Sequence, residues 1–98
     1  MNNYLQITIS DNFRNTELGI FRIKRNLQLP DLTVAELEAF LKNVLLSTPL
    51  DKIETRGKNH YFTNDNHNAV LTINSGSLTI ITAKKIITKE INGNSNLQ

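Results

Sequence analysis

Arg56-Gly57-Lys58-Asn59-His60-Tyr61 brings two cations, an amide, an imidazole and a phenol into one short stretch. A second polar set, Thr82-Ala83-Lys84-Lys85, follows the apolar run Leu78-Thr79-Ile80-Ile81. The chemistry these residue types could share is the handling of phosphate. Metal-free RNA cleavage needs a base for the 2′-hydroxyl, an acid for the leaving oxygen, and cations for the crowded phosphate. His60 and Tyr61 are the candidate proton-transfer groups. Arg56, Lys58, Lys84 and Lys85 are the candidate phosphate ligands, Arg56 being best suited to a bidentate contact. Asn59 offers an amide to a base or a partner, or caps a turn beside Gly57. Thr82 is a possible neighbour of this group. The competing reading is plainer and weighs more: a charged strand row keeps an edge soluble and unaggregated. Geometry separates the two. In an extended strand Arg56, Lys58 and His60 would share one face; if Gly57 turns the chain, Arg56 and His60 face each other across a hairpin.

Other candidates carry less. His67 lies in Asn64-Asp65-Asn66-His67-Asn68, a turn by composition, and reads as a loop residue rather than a metal ligand with Asp65. Two histidines without cysteine make no dedicated zinc site, and no cofactor or metal is expected. Glu36 is explained by capping and Glu38 by exposure, so no carboxylate pair is available for acid-base work. Gly57-Lys58 lacks a phosphate-loop pattern, and no Ser-His-Asp set has readable spacing.

The elements that must position these residues are short. Tyr4 to Ile9 alternates apolar and polar, which predicts a half-buried strand with Leu5, Ile7 and Ile9 inward. Thr16 to Leu27 predicts a helix capped by Asn15 or Thr16, with Ile20, Ile23 and Leu27 in its stripe and Phe21 and Leu18 widening it. Gly19 is a poor helix residue there; it allows close packing or delays the helix start. Thr33-Val34-Ala35-Glu36 is a capping box, and Leu32 and Leu37 form its hydrophobic staple. The second helix runs from about Thr33 to Ser47, its stripe being Val34, Leu37, Phe40, Leu41 and Val44, and Thr48-Pro49 stops it. Strands follow over Ile53–Thr55, Asn59–Thr63, Ala69–Ile73 and Leu78–Lys84, the last two as a hairpin around Asn74-Ser75-Gly76-Ser77. Leu78 to Ile81 is apolar on both faces and predicts a central strand, which Ile86, Ile87 and Ile91 could extend.

The predicted fold is therefore α+β: an N-terminal strand, two helices, then a three- to four-stranded antiparallel meander with the helices on one face. Leu5, Ile7, Leu71, Ile73, Leu78 and Ile80 would point into the core, and Arg56, Lys58, His60 and Thr82 would lie on the opposite face. At 98 residues this is one domain, residues 1–91, with a flexible polar tail over 92–98. Hydrophobic residues make up 39% of the chain, patterned clearly enough to argue against disorder. The absence of cysteine excludes disulfides and thiolate chemistry and fits a cytoplasmic setting. No apolar run approaches the roughly 20 residues a membrane span needs. Met1-Asn2-Asn3-Tyr4 reads as a natural start without signal-peptide features.

The net charge of +2 is small but unevenly placed. Arg22, Lys24 and Arg25 cluster on the first predicted helix. Asp31, Glu36, Glu38 and Asp51 surround the second, offset by Lys42. Arg56, Lys58, Lys84, Lys85 and Lys89 fall in the C-terminal half. Such a division could steer an anionic partner, or be an ordinary mixed surface.

Thr16-Glu17-Leu18-Gly19, Arg22-Ile23-Lys24-Arg25-Asn26-Leu27, Arg56-Gly57-Lys58-Asn59, Leu71-Thr72-Ile73-Asn74 and Ser77 through Lys85 together resemble a family of small bacterial domains of unknown function, over about Thr16 to Lys85. That resemblance implies a single domain and no activity. Members tend to carry Trp where His60 stands and His where Lys84 stands, which leaves Arg56 and Lys58 as the better candidates. In topology the chain is similar to RelE-type toxins and colicin D-like ribonucleases, where basic residues, His and Tyr on a sheet cleave RNA without a metal. That likeness is one of fold alone. Two functions follow as expectations. One is a toxin-like RNA-binding or RNA-cleaving protein. The other is a non-catalytic bacterial or phage-encoded inhibitor or regulator, whose partner would be a host or defence protein.

Overall fold

Tyr4–Asn12 forms a helix, α1, where the sequence predicts a strand. The structure, a computed structural model, describes residues 4–86. Leu5, Ile7 and Ile9 do have the period of a strand, but Leu5 and Ile9 are also one helical turn apart. Ile9 is fully buried while Ile7 is 43% exposed, as a helix requires. The deciding residue is Gln6, which the strand reading turned to solvent. It is buried, and its Nε2 donates to the main-chain carbonyls of Leu45 (3.0 Å), Leu46 (3.3 Å) and Thr48 (2.7 Å). Tertiary demand overrides local pattern here.

That demand comes from the third helix. Helix α2 covers Glu17–Leu27 and α3 covers Val34–Ser47. Both begin as the sequence predicts. Thr16 Oγ1 accepts from Gly19 N (2.9 Å), and both arms of the Thr33–Glu36 capping box are made. The end of α3 is unusual. Its last carbonyls need donors, yet Thr48-Pro49 follows, and Pro49 has no N–H to return. Side chains fill the gap. Gln6 serves Leu45, and Asn64 Nδ2 donates to Val44 O (3.1 Å), Ser47 Oγ (3.0 Å) and Thr48 Oγ1 (3.1 Å).

After a short 3-10 turn over Leu50–Lys52 come β1 (Ile53–Arg56), β2 (Asn59–Asn64), β3 (Ala69–Asn74) and β4 (Ile80–Lys85). They form one antiparallel sheet in the order β1-β2-β3-β4. The α+β class holds, with three helices preceding a four-stranded meander among the described residues. Helices α1, α2 and α3 contribute Ile9, Ile23, Leu27, Leu37, Leu41, Val44 and Leu45 to a core closed by Phe62, Ala69, Leu71, Ile73, Ile80 and Ala83 from the sheet. The register stacks these sheet residues on one face: Phe62 lies opposite Leu71, and Leu71 opposite Ala83.

Several predicted core positions differ. Leu71, Ile73 and Ile80 are buried and Leu5 and Leu78 half-buried, but Leu18 and Phe21 of α2 are 56% and 61% exposed. Val34 at the start of α3 is 48% exposed. The run Leu78–Ile81 does not form a central strand, because β4 is at the sheet edge. Leu78 sits outside the strand at φ 59. The main chain of Arg14 covers this end: Arg14 N donates to Leu78 O (3.0 Å), and Ile80 N to Arg14 O (2.9 Å). Helix α2 packs against β4, so the run is apolar because other chain segments lie on it. Ile87, Ile91 and the polar tail lie outside the described residues.

Gly57 and Lys58 form a two-residue loop between β1 and β2. Gly57 has φ +59 with open space where a Cβ would stand, the position a type II′ hairpin reserves for glycine. Strain alone then sets the effect of substitution. Gly57→Ala is expected to destabilise by about 1 kcal/mol, read as a lowered urea midpoint at unchanged slope.

Candidate functional site

Because that loop has two residues, Arg56 lies opposite Asn59, Glu54 opposite Tyr61, and Thr55 opposite His60. Alternate residues of a strand face opposite ways. Arg56 and His60 are therefore on opposite faces, and neither arrangement expected from the sequence is formed. The register continues across the sheet. Tyr61 pairs with Thr72 and Thr72 with Thr82, Asn59 pairs with Asn74, and Val70 pairs with Lys84. The face away from the helices thus carries Glu54, Arg56, Asn59, Tyr61, Thr72, Thr82 and Lys84.

Contacts on this face are specific. The guanidinium carbon of Arg56 sits 4.3 Å from the Tyr61 ring centroid, an exposed stack worth about 0.5–1 kcal/mol. Arg56 Nε is 3.5 Å from Glu54 Oε1, a surface pair of little value by itself. Asn59 Nδ2 donates to the Tyr61 hydroxyl at 3.4 Å. Beside Tyr61 an open depression of about 420 Å³ is lined by Tyr61, Val70, Thr72, Thr82, Lys84, Lys85 and Ile86. It offers apolar surface between hydroxyls and two ammonium groups.

The remaining candidates flank it. Lys58 is exposed at the tip of the β1–β2 turn, and its carbonyl accepts from Ser75 N (2.8 Å), tying the two hairpin turns together. Lys85 is opposite Ala69 on the helix side of the register, and its Nζ donates to Gln28 Oε1. Of the residues picked from sequence, Arg56, Asn59, Tyr61, Thr82 and Lys84 share one face, and Lys58 and Lys85 border it. His60 is turned away, so the expected opposite-face set of Arg56, Lys58, His60 and Thr82 is corrected at His60. Its Nδ1 and Thr55 Oγ1 share a 2.7 Å hydrogen bond.

Burial holds the His60 pKa below the ordinary value of 6.5, because desolvation disfavours the imidazolium. An imidazole of lowered folded pKa takes its proton more readily in the unfolded chain, so folding stability is complete above 6.5 and falls as pH drops through the folded value. The His60 ring signals in an NMR titration should show a midpoint under 6.5. His60→Gln should flatten that part of the stability curve.

Asp65 and His67 do not join this site. The His67 ring meets Phe40 edge-on at 5.5 Å and 87°, and Asp65 pairs with Lys52 at 3.8 Å. Among the described residues no three or more His, Cys, Asp and Glu side chains are grouped so as to hold a metal ion, and no helix is long and apolar enough to cross a membrane. Sequence reasoning passed over Thr72, Val70 and Glu54 as site residues. The available signal was the loop length: a two-residue Gly57-Lys58 turn pairs Arg56 with Asn59 and Glu54 with Tyr61, because loop length fixes hairpin register.

The molecule is thus a small α+β domain whose antiparallel meander has one face packed by helices and one polar, partly basic face left open. A family model described as a protein of unknown function, DUF3781, matches residues 7–84, and the chain belongs to that family. No curated protein and no solved structure matches it.

Proposed function

We propose that the open sheet face recognises single-stranded RNA without cleaving it. The observation that carries this reading is an apolar-floored depression lined by Tyr61 and Lys84, with Arg56 stacked on the Tyr61 ring beside it. An antiparallel sheet with an aromatic ring suits unstacked bases, each stack being worth about 1–3 kcal/mol. Arg56 and Lys84 would meet phosphates, and Asn59, Thr72 and Thr82 would offer hydrogen bonds to base edges. Cleavage of the RelE or colicin D kind receives less support. It calls for an acid and a base on the same face, and His60 lies on the other side of the sheet, opposite Thr55.

The test is fluorescence anisotropy of a labelled oligouridylate of about five nucleotides at about 50 mM salt. Saturable binding that weakens steeply by about 200 mM salt is expected, since phosphate contacts release counterions. Absence of binding at the lower salt overturns the reading. A second reading, a protein-binding inhibitor or regulator, is favoured by one observation. Strand β1 is a sheet edge whose Glu54, Thr55 and Arg56 are exposed, so an extended partner segment could add a strand there.

A further inference from the structure

The outer side of α2 has no role in the core. Leu18, Phe21, Arg22 and Arg25 are all exposed and recur at the spacing of one helical stripe, while Ile23 and Leu27 are the buried residues of that helix's apolar side. Two large apolar side chains more than half exposed beside two guanidinium groups are more than solubility requires. The Arg25 guanidinium lies 5.8 Å from the Phe21 ring centroid. Phe21, Lys24, Arg25 and Pro30 line an open depression of about 290 Å³.

This patch is joined to the sheet face. Helix α2 packs on β4. Lys84 belongs to the open face; Lys85, the next residue, reaches Gln28 Oε1, and Gln28 is the C-cap of α2. Cations therefore continue from Lys84 over the β4 edge to Arg25, Lys24 and Arg22. The ion pairs formed among the described residues, Lys42–Asp11, Lys52–Asp65 and Arg56–Glu54, include none of these five. The acids nearest in sequence are Glu17, at the far end of α2, and Asp31, beside Pro30. A helix C-terminus alone would repel phosphate, so the positive charge at this end comes from the side chains.

We infer that a bound RNA strand leaves the sheet face across Lys84 and Lys85 and continues along α2, where Arg22, Lys24 and Arg25 take phosphates and Phe21 stacks a base. This rests on the reading of the sheet face as an RNA-binding surface, and names α2 as its second half. Charge complementarity and the Lys85–Gln28 link select a polyanion as the occupant of the apolar stripe.

The experiment compares oligouridylates of about five and about fifteen nucleotides on the full chain, since a short oligomer fills only one patch of a single-strand site. Arg22→Gln with Arg25→Gln should weaken the longer oligomer about tenfold and reduce its log–log salt slope by about 1.4, two phosphates' worth, leaving the shorter one unchanged. Phe21→Ser should weaken the longer oligomer about fivefold or more with the slope preserved, because stacking is uncharged. Both variants are at exposed positions, so an unchanged melting temperature accompanies the expected result. If wild type binds both oligomers and neither variant alters the longer one, the α2 path is wrong and the sheet reading stands. Equal loss for both oligomers also overturns the path. If wild type binds neither, both proposals fail together.

Discussion

Asn64→Leu is expected to destabilise the fold by about 3 kcal/mol, lowering the melting temperature by roughly 12–24 °C. Asn64 is 1% exposed and sits at the end of β2. Its Nδ2 holds Val44 O, Ser47 Oγ and Thr48 Oγ1, and its Oδ1 accepts from His67 N at 2.9 Å. One amide therefore closes α3 and starts the β2–β3 turn. Leucine has similar size and fills the space but leaves Val44 O and His67 N without this partner, and each unsatisfied buried group costs about 1–3 kcal/mol. Thr48 Oγ1 also reaches Val44 O, at 2.6 Å, which keeps the loss below the upper sum. Asn64→Asp sharpens the test. It keeps the acceptor for His67 N but, ionised, cannot donate to Val44 O. A buried carboxylate has a raised folded pKa, so this variant should be least stable at neutral pH and recover as pH falls toward its unfolded value. Thermal melts of the two variants across pH separate the lost donor from the lost shape. Gln6→Leu should act in the same direction from the other side of α3, through the carbonyls of Leu45 and Thr48.

Tyr61→Ala is expected to weaken binding of a short single-stranded RNA by roughly 5- to 150-fold, the range of one lost base stack. Tyr61→Phe should stay near wild type, since the hydroxyl's contact on this face is a long 3.4 Å bond from Asn59. Arg56→Gln and Lys84→Gln should each take about 0.7 from the salt slope, as one phosphate contact does. His60→Gln should leave affinity unchanged, because its ring lies on the helix side with Thr55. Anisotropy titrations at two salt concentrations read all of these. The contrast between Tyr61 and His60, neighbours in sequence and on opposite faces, discriminates a sheet-face site from a merely basic hairpin.

The sequence made plain what depends on near neighbours. The Thr33–Glu36 box, the Thr16 cap and the Asn74 turn are local patterns with local causes, and all are formed. It hid what depends on distant ones. Gln6 anchors one side of α1 to the end of α3 through carbonyls 39 to 42 positions away, while the local alternation reads as strand. Asn64 reads from the sequence as the first residue of an Asn-rich turn, and its Oδ1 does serve that turn, but nothing local shows that its Nδ2 also closes α3. The candidate site was legible in kind, since Arg56, Asn59, Thr82 and Lys84 do fall together. His60 was misplaced because the length of the Gly57 turn was not read: a two-residue loop pairs Arg56 with Asn59 rather than His60, and a single register step moves a side chain to the other face. The Thr72–Thr82 pairing was hidden for a separate reason, the register shift between Thr72 and Ile73 after the Asn74 turn.

The most direct test of the central claim is an NMR titration of the isotope-labelled chain with a short oligouridylate at low salt. The account predicts shift changes concentrated at Arg56, Asn59, Tyr61, Thr72, Thr82 and Lys84, with α1 and α3 silent. Changes confined to the α3 side of the molecule, or none at all, would contradict it.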